Sequence, residues 1–166
     1  MRIFQKISYL LGLFAIVATA QKTPASPSEV ATGKIGDATI TIKYSSPSVK
    51  GRAIWGELVP FDQVWRAGAN NATTFETDQD LQIEGQKLAK GKYTFFVIPN
   101  ANESTVIFNK VQEQWGAYKY DEKQDALRIK IKPKAGKEIL EKLAYEIAGN
   151  DISLKWEKWS FNIGVK

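Results

Sequence analysis

The sequence contains no cysteine and no histidine among its 166 residues. Without cysteine the chain has no disulfide framework, no zinc–thiolate site and no thiol nucleophile. Without histidine it lacks the commonest general base near neutral pH and the commonest transition-metal ligand. Catalytic triads that use histidine and zinc sites built on histidine are therefore excluded. We expect no metal and no cofactor.

Charge of one sign is not concentrated anywhere in the chain. The 23 Lys and Arg exceed the 18 Asp and Glu by five, and the lysines are spread along the sequence. The mild cluster of Lys130, Lys132, Lys134 and Lys137 is typical of a solvated strand face. Nucleic acid is therefore not an expected partner.

The N-terminus has the three-part pattern of a secretory signal peptide. Arg2 and Lys6 precede the apolar run Ile7 to Ala18, and Ala18-Thr19-Ala20 supplies the small residues of a cleavage site. The run is short for a bilayer span, which needs roughly 20 apolar residues, so an uncleaved anchor is the less favoured alternative. We expect residues 1–20 to form a signal helix that is removed, with no later transmembrane segment. The mature protein is then periplasmic or extracellular.

After cleavage about 146 residues remain, which suits one domain with one core. Residues 21–34 are polar and rich in Pro and Ser, so they are interpreted as a flexible lead-in. The domain is then expected over residues 35–166.

Period-two alternation of apolar and polar residues dominates that domain and predicts strands. In the last segment the alternation shifts by one residue at Glu157-Lys158, as a β-bulge or tight hairpin would produce. Residues 139–147 fit a helical stripe as well as a strand, and we favour a strand over 142–148 after a helical turn. The fold class is all-β, an antiparallel β-sandwich or jelly roll, with an open barrel as the alternative. Strands are predicted around 38–44, 81–83, 93–98, 105–108, 127–132, 152–156 and 159–165.

Unusual residues are densest between Gly51 and Phe75. The segment contains a Gly-Arg pair, a Trp-Gly step, Leu-Val-Pro, Val-Trp-Arg and Gly-Ala-Asn, followed by a Thr. This pattern resembles a bacterial family known only as domain of unknown function 2911. The similarity continues through Leu88-Ala89-Lys90-Gly91-Lys92-Tyr93 to the late Trp156-Glu157. The resemblance implies a secreted protein and implies no activity.

The same segment offers a possible ligand site. Arginine forks suit carboxylates or phosphates, aromatic rings suit sugars, and Gly and Asn permit sharply bent loops. An aromatic-rich segment after residue 114 is a second candidate, as a groove lining or as a pinned loop. The alternative is structural, with the tryptophans in the core and Arg66 paired to Asp62 or Glu76. The primary candidates are Arg52, Trp55, Trp65, Arg66, Asn70, Asn71 and Thr73, and the secondary ones are Trp115, Tyr118, Tyr120 and Asp121.

Three classes of function remain open. The first is a non-catalytic binding module for a carbohydrate or other small polar ligand. The second is a hydrolase or lyase that uses paired carboxylates with an arginine, for which Glu57, Asp62 and Glu76 are the acids near the cluster. The third is a structural or protein-interaction domain of the cell envelope. A sandwich fold by itself does not choose among them.

Overall fold

A computed structural model describes residues 25–166 of the chain. All strand pairs in this part are antiparallel. The strands are β1 (Ser28–Ile35), β2 (Ala38–Ser45), β3 (Thr74–Thr77), β4 (Leu81–Ile83), β5 (Gln86–Leu88), β6 (Gly91–Ile98), β7 (Ser104–Asn109), β8 (Asp125–Ile131), β9 (Lys134–Ala148) and β10 (Asp151–Gly164), with a 3-10 helix at Glu122–Gln124.

Six strands form one sheet in the order β1-β2-β3-β6-β7-β8. The short hairpin β4-β5 is inserted between the neighbouring strands β3 and β6. Its turn places Glu84 and Gly85 at φ 47° and 79°. Two consecutive positive φ angles are the geometry of the tight turn that matches the twist of a β-hairpin.

The long hairpin β9-β10 covers one face of the six-stranded sheet. Alternate residues of a strand point to opposite faces, so strands such as β2 and β8 supply one row of core residues. Rings from the two layers meet directly, with Phe95 of β6 and Tyr145 of β9 at 5.9 Å between centroids. The all-β sandwich is confirmed, with layers of unequal size. The core includes Ile40, Ile42, Phe75, Phe108 and Ile129 of the sheet and Leu143, Leu154, Trp156 and Phe161 of the hairpin.

The predicted shift of alternation near Glu157 is also confirmed. The pairing of β10 with β9 changes register on both sides of Glu157, and Glu157 has φ 54°. Between the pairs Lys155↔Ala144 and Trp159↔Ala135 the two strands are out of step, and the left-handed backbone at Glu157 moves the following side chains of β10 to the opposite face. Trp156 before the bulge and Phe161 after it are consequently both buried.

The helical turn predicted before residue 142 is wrong, because β9 runs without interruption from Lys134 to Ala148. Its first part pairs with β10, with Ala135 opposite Trp159 and Leu140 opposite Glu157. Pairing with β10 across the hairpin therefore overrides the local helical stripe. Ile139 is 56% exposed, so the stripe is not a buried face.

The prediction of a flexible lead-in over 21–34 is wrong for residues 28–34, which belong to β1. The strand pairs with β2 from Ser28↔Ser45 to Ile35↔Ala38. It is an edge strand and mostly exposed, which explains a polar sequence without a hydrophobic row. The predicted signal segment, residues 1–20, lies outside the described residues. Within residues 25–166 no helix has the length and apolar character needed to span a bilayer.

Candidate functional site

An open cleft of about 640 Å³ lies on the face of the sheet opposite the hairpin. Lys43 of β2 and Thr74 of β3 are paired in register and contribute to its floor. Their neighbours Ile42 and Phe75 are fully buried on the hairpin side, so Lys43 and Thr74 face away from the core. The cleft is lined by Ser28, Glu29, Val30, Lys43, Tyr44, Ser45, Asn70, Asn71, Ala72, Thr74, Lys92, Glu113, Gln114 and Trp115.

Two loop segments that are distant in sequence build one wall of the cleft. The amide of Ala72 donates to the carbonyl of Gln114 at 2.9 Å, and that of Gly116 donates to the carbonyl of Asn70 at 3.3 Å. These bonds align residues 70–72 with 114–116 in an antiparallel way, with Asn71 opposite Trp115. The wall is thus held by backbone bonds. The exposed side chains of Asn71 and Trp115 remain available to a ligand, whereas Asn70 Nδ2 donates to the carbonyl of Ser26 at 3.4 Å.

Aromatic side chains are exposed on this wall. Trp115 is 63% exposed and lines both the cleft and an adjoining hollow of about 290 Å³, where it is joined by Tyr118. Tyr118 is 82% exposed. A large ring that packs against little of its own protein offers an apolar face to a ligand.

The buried side chain of Asn109 anchors the loop that follows β7. Its amide nitrogen donates to the carbonyl of Asp121 at 3.0 Å and to Asp125 Oδ1 at 2.8 Å. Its amide oxygen accepts from the backbone of Val111 at 3.1 Å and from Gln114 Nε2 at 3.3 Å. One residue therefore uses all of its hydrogen-bonding capacity to fix the start and the end of this loop.

Gln114 itself retains an unused acceptor. Its Oε1 atom is buried and has no hydrogen-bond donor among residues 25–166. A buried carbonyl without a donor is uncommon in folded proteins, because its desolvation is not compensated. Gln114 lines the cleft, but its Oε1 atom is itself shielded from solvent, so a ligand hydroxyl reaches this acceptor only after the side chain moves.

Three charged side chains of the cleft lie close together. Lys92 Nζ and Glu113 Oε1 are 3.0 Å apart. This bond and the charge of Lys92 lower the pKa of the Glu113 carboxyl, opposed by slight desolvation, and the charge of Lys43 lowers it further. Both lysines therefore act on the same carboxylate, although they belong to β2 and β6.

The 67–73 segment is held from the hairpin side. The carbonyl of Ala67 accepts from the Thr73 hydroxyl at 3.0 Å and from the Tyr145 hydroxyl at 2.7 Å. Ala67 and Asn70 have φ 53° and 57°, a left-handed backbone that asparagine tolerates but that is unfavourable for alanine. Burial raises the pKa of Tyr145 well above its usual value, so the hydroxyl stays protonated as a donor. These contacts set the position of Asn70 and Asn71.

The structure brings three of the sequence-predicted residues together in the cleft, namely Asn70, Asn71 and Trp115. Tyr118 lies in the adjoining hollow. Arg66 is half-buried, and its Nη1 donates to the carbonyl of Asn70 at 3.4 Å instead of pairing with Asp62 or Glu76. The Arg66 side chain therefore stabilises the backbone of the wall at Asn70.

The remaining primary candidates lie elsewhere. Arg52 donates to the carbonyls of Val49 and Ser48, which stabilises its own turn. Thr73 is fully buried. Trp55 and Trp65 are 5.7 Å apart and pack on the buried Trp156 at 6.0 Å from each, in the core. These four side chains therefore stabilise the fold and do not line the cleft.

Two secondary candidates also have structural roles. Tyr120 packs on Phe96 at 5.2 Å and donates to Asp125 Oδ2 at 2.6 Å. Desolvation, followed by this bond to Asp125, raises the pKa of its hydroxyl. Asp121 caps the 3-10 helix by accepting from the backbone of Lys123 at 3.0 Å. Both hold the end of the loop and do not line the cleft.

Sequence reasoning did not single out Lys43, Lys92, Glu113 or Gln114 as site residues. Isolated lysines on alternating strands are normal on a solvated face, so no local signal marks them. Within residues 25–166 there is no group of three or more carboxylates that could hold a metal ion. The arrangement suits reversible binding by aromatic contact, amide hydrogen bonds and charge.

Comparisons with known proteins agree with the resemblance noted in the sequence. The model of the family described as "protein of unknown function (DUF2911)" matches residues 26–165. No curated protein and no solved structure matches the chain. The match extends from just before β1 to the end of the described fold, so it includes the cleft and both of its loops. The chain belongs to the family of domain of unknown function 2911.

Proposed function

We propose that this domain is a non-catalytic binding module for a carbohydrate or other small polar ligand. The observation that supports this most strongly is the exposed Trp115 beside Asn70, Asn71 and Gln114 in one cleft. Amide side chains match sugar hydroxyls as donors and acceptors, and an indole face matches the apolar face of a sugar ring. The volume of about 640 Å³ lies within the range of roughly 300–1,000 Å³ for small-molecule sites.

The wall of the cleft is suited to binding because it is preorganised. Its backbone positions are fixed by the bonds between residues 70–72 and 114–116 and by the contacts of Asn109 and Ala67. A ligand that meets a fixed wall loses less free energy to loop ordering than one that must order a mobile loop.

Catalysis by paired carboxylates has less support. Glu57, Asp62 and Glu76 do not line the cleft. Asp62 instead accepts from the side chain of Asn100 at 2.8 Å. The acids that do line it are Glu29 and Glu113, and Glu113 is already paired with Lys92.

The test is a carbohydrate array followed by calorimetric titration of the sugars that bind. We expect Trp115→Ala to weaken binding roughly tenfold, because stacking on an aromatic ring contributes about 0.5–1.5 kcal/mol beyond the area that it buries. The control is Ile139→Ala, which removes another exposed apolar side chain, on β9. Binding that both variants retain unchanged would contradict the proposal, as would an array without any bound saccharide.

We also propose that the protein is exported, to the periplasm or beyond. The support is the positive start, the apolar run Ile7 to Ala18 and the small residues before Gln21. Intact mass measurement of the protein secreted by its bacterial host should give a chain that begins at Gln21. A chain retained in the cytoplasm with its first twenty residues intact would contradict export.

A further inference from the structure

The cleft combines an exposed aromatic ring with two lysines and two glutamates. Lys43, Lys92 and Glu113 lie together, and among residues 25–166 Lys43 has no carboxylate within 4.0 Å. The trio therefore has a net charge of +1. Glu29 also lines the cleft. However, it is paired in register with Tyr44, and burial together with the charge of Glu29 raises the pKa of the Tyr44 hydroxyl, which lies on the hairpin side of β2.

The two lysines are placed to reach the same group. β2 and β6 are separated only by β3, so their backbones are roughly 10 Å apart at the usual strand spacing. In register, Lys43 is opposite Thr74, and Lys92 is opposite Glu76 two residues along β3. Long flexible side chains span this distance easily. Both lysines line the same cleft, with Lys92 Nζ 3.0 Å from Glu113 Oε1 and Lys43 acting on that carboxylate more weakly.

The Glu113 side chain can move away from Lys92 without disturbing the fold. It lies in a loop, outside every strand, and its side chain is 82% exposed, whereas that of Lys92 is only 26% exposed. An ion pair this exposed adds little to stability, so exchanging its carboxylate for another is inexpensive. Displacement of Glu113 would leave two cations facing the ligand, beside the ring of Trp115.

We propose that the ligand is a carboxylate-bearing saccharide of the uronate class, whose carboxylate takes the place of Glu113 between Lys92 and Lys43. Its sugar ring then lies against Trp115, and its hydroxyls meet Asn70, Asn71 and Gln114. This inference rests on the proposed function, since it assigns the substrate class of the same cleft. In the free protein, the Glu113 carboxylate occupies the position beside Lys92 that the ligand carboxylate takes in the complex.

The experiment titrates the full chain with oligogalacturonate, oligoglucuronate and oligomannuronate, each beside its carboxyl-reduced neutral counterpart. We expect at least one uronate to bind roughly tenfold tighter than its neutral counterpart, because a charge-assisted hydrogen bond is worth more than a neutral one. Lys92→Met should remove this preference. Glu113→Gln should tighten uronate binding about two- to fivefold and leave neutral sugars unchanged, because it removes the competing carboxylate.

A matched control is Lys130→Met, which removes an exposed lysine on β8, away from the cleft. Neutral sugars that bind as tightly as uronates would overturn this inference while the proposed function stands. Uronate binding that Lys92→Met and Glu113→Gln do not change would overturn it as well. If neither charged nor neutral saccharides bind, the inference and the proposed function both fail.

Discussion

The Tyr145 hydroxyl donates a 2.7 Å hydrogen bond to the carbonyl oxygen of Ala67, which lies 78 residues earlier in the chain. The bond joins the long hairpin to the segment that leads into Asn70 and Asn71. It is buried, and Thr73 donates to the same carbonyl at 3.0 Å. The wall of the cleft therefore depends on a residue in the opposite layer of the sandwich.

Replacing Tyr145 with Phe tests that dependence. We expect a loss of about 1 kcal/mol in the free energy of unfolding, because the ring still packs and Ala67 keeps the bond from Thr73. Binding in the cleft should also weaken, since Ala67 is held in a left-handed backbone that relaxes when a bond is lost. Denaturant unfolding and calorimetry measure the two effects.

Tyr118→Phe is the control for stability, because Tyr118 is largely exposed. If Tyr145→Phe unfolds at the same denaturant midpoint as the wild-type protein, the hydrogen bond contributes nothing to stability.

At Gly33, β1 packs directly against Ile147 of β9. A Cβ atom there would lie 2.7 Å from Ile147 Cγ2 and 3.1 Å from the Ile147 carbonyl oxygen. We expect Gly33→Ala to destabilise the protein by about 1–3 kcal/mol, because the two layers must separate to admit the methyl group. Thermal unfolding measures this effect. Gly136→Ala is the matched control, since a Cβ at that position meets its nearest atom at an ordinary 3.5 Å. Equal stability of the two variants would rule out the steric argument.

Asn109 provides a test of the loop that bears Trp115. Asn109→Ala removes two donors and leaves Asp125 Oδ1 and the carbonyl of Asp121 without this partner. We expect a loss of about 1–3 kcal/mol in the free energy of unfolding, the usual range for an unsatisfied buried group. Hydrogen exchange of the Val111 amide should accelerate, because its acceptor is the Asn109 side chain. Asn102→Ala, at an exposed turn, should change neither measurement. An unchanged Val111 exchange rate would contradict the anchoring role.

The Glu113 carboxyl is expected to titrate below its ordinary pKa of 4.5 in the folded protein. Because this pKa is lowered by Lys92, the pair stabilises the fold above the unfolded-state pKa and loses that effect as the pH falls through the folded value. Lys92→Met should move the Glu113 pKa back towards 4.5, and Lys43→Met should move it less. NMR titration of the glutamate carboxyl carbon measures both. An unshifted Glu113 in the wild-type protein would show that the three charges do not interact.

Much of the fold follows from period-two alternation. The rows that contain Ile42, Ile129 and Ile163 are buried as their spacing predicts, and the slip at Glu157 is a bulge. The prediction missed the short strands β3 and β5, and its two wrong assignments concern strands whose residues are mostly exposed. β1 and the first part of β9 have no apolar row, so only their hydrogen-bonded partners, β2 and β10, make them strands.

The candidate site was predicted in part. Asn70, Asn71, Trp115 and Tyr118 were identified by residue type, and the structure places them at the cleft and its adjoining hollow. Trp55 and Trp65 have the same chemistry as Trp115 but pack in the core. Residue type cannot separate the two cases, because exposure depends on which strand or loop covers the ring.

The sequence alone determined that the domain is built of antiparallel strands and that histidine and cysteine chemistry is impossible. Both conclusions depend on composition and short-range spacing. The tertiary structure decided where a ligand could bind. Four residues, Lys43, Asn71, Lys92 and Trp115, meet in one cleft because antiparallel pairing places β2 and β6 on either side of β3. Backbone bonds between residues 70–72 and 114–116 join the two loops, and Tyr145 and Asn109 each anchor one of them. Contacts between residues so far apart in the chain leave no local pattern in the sequence.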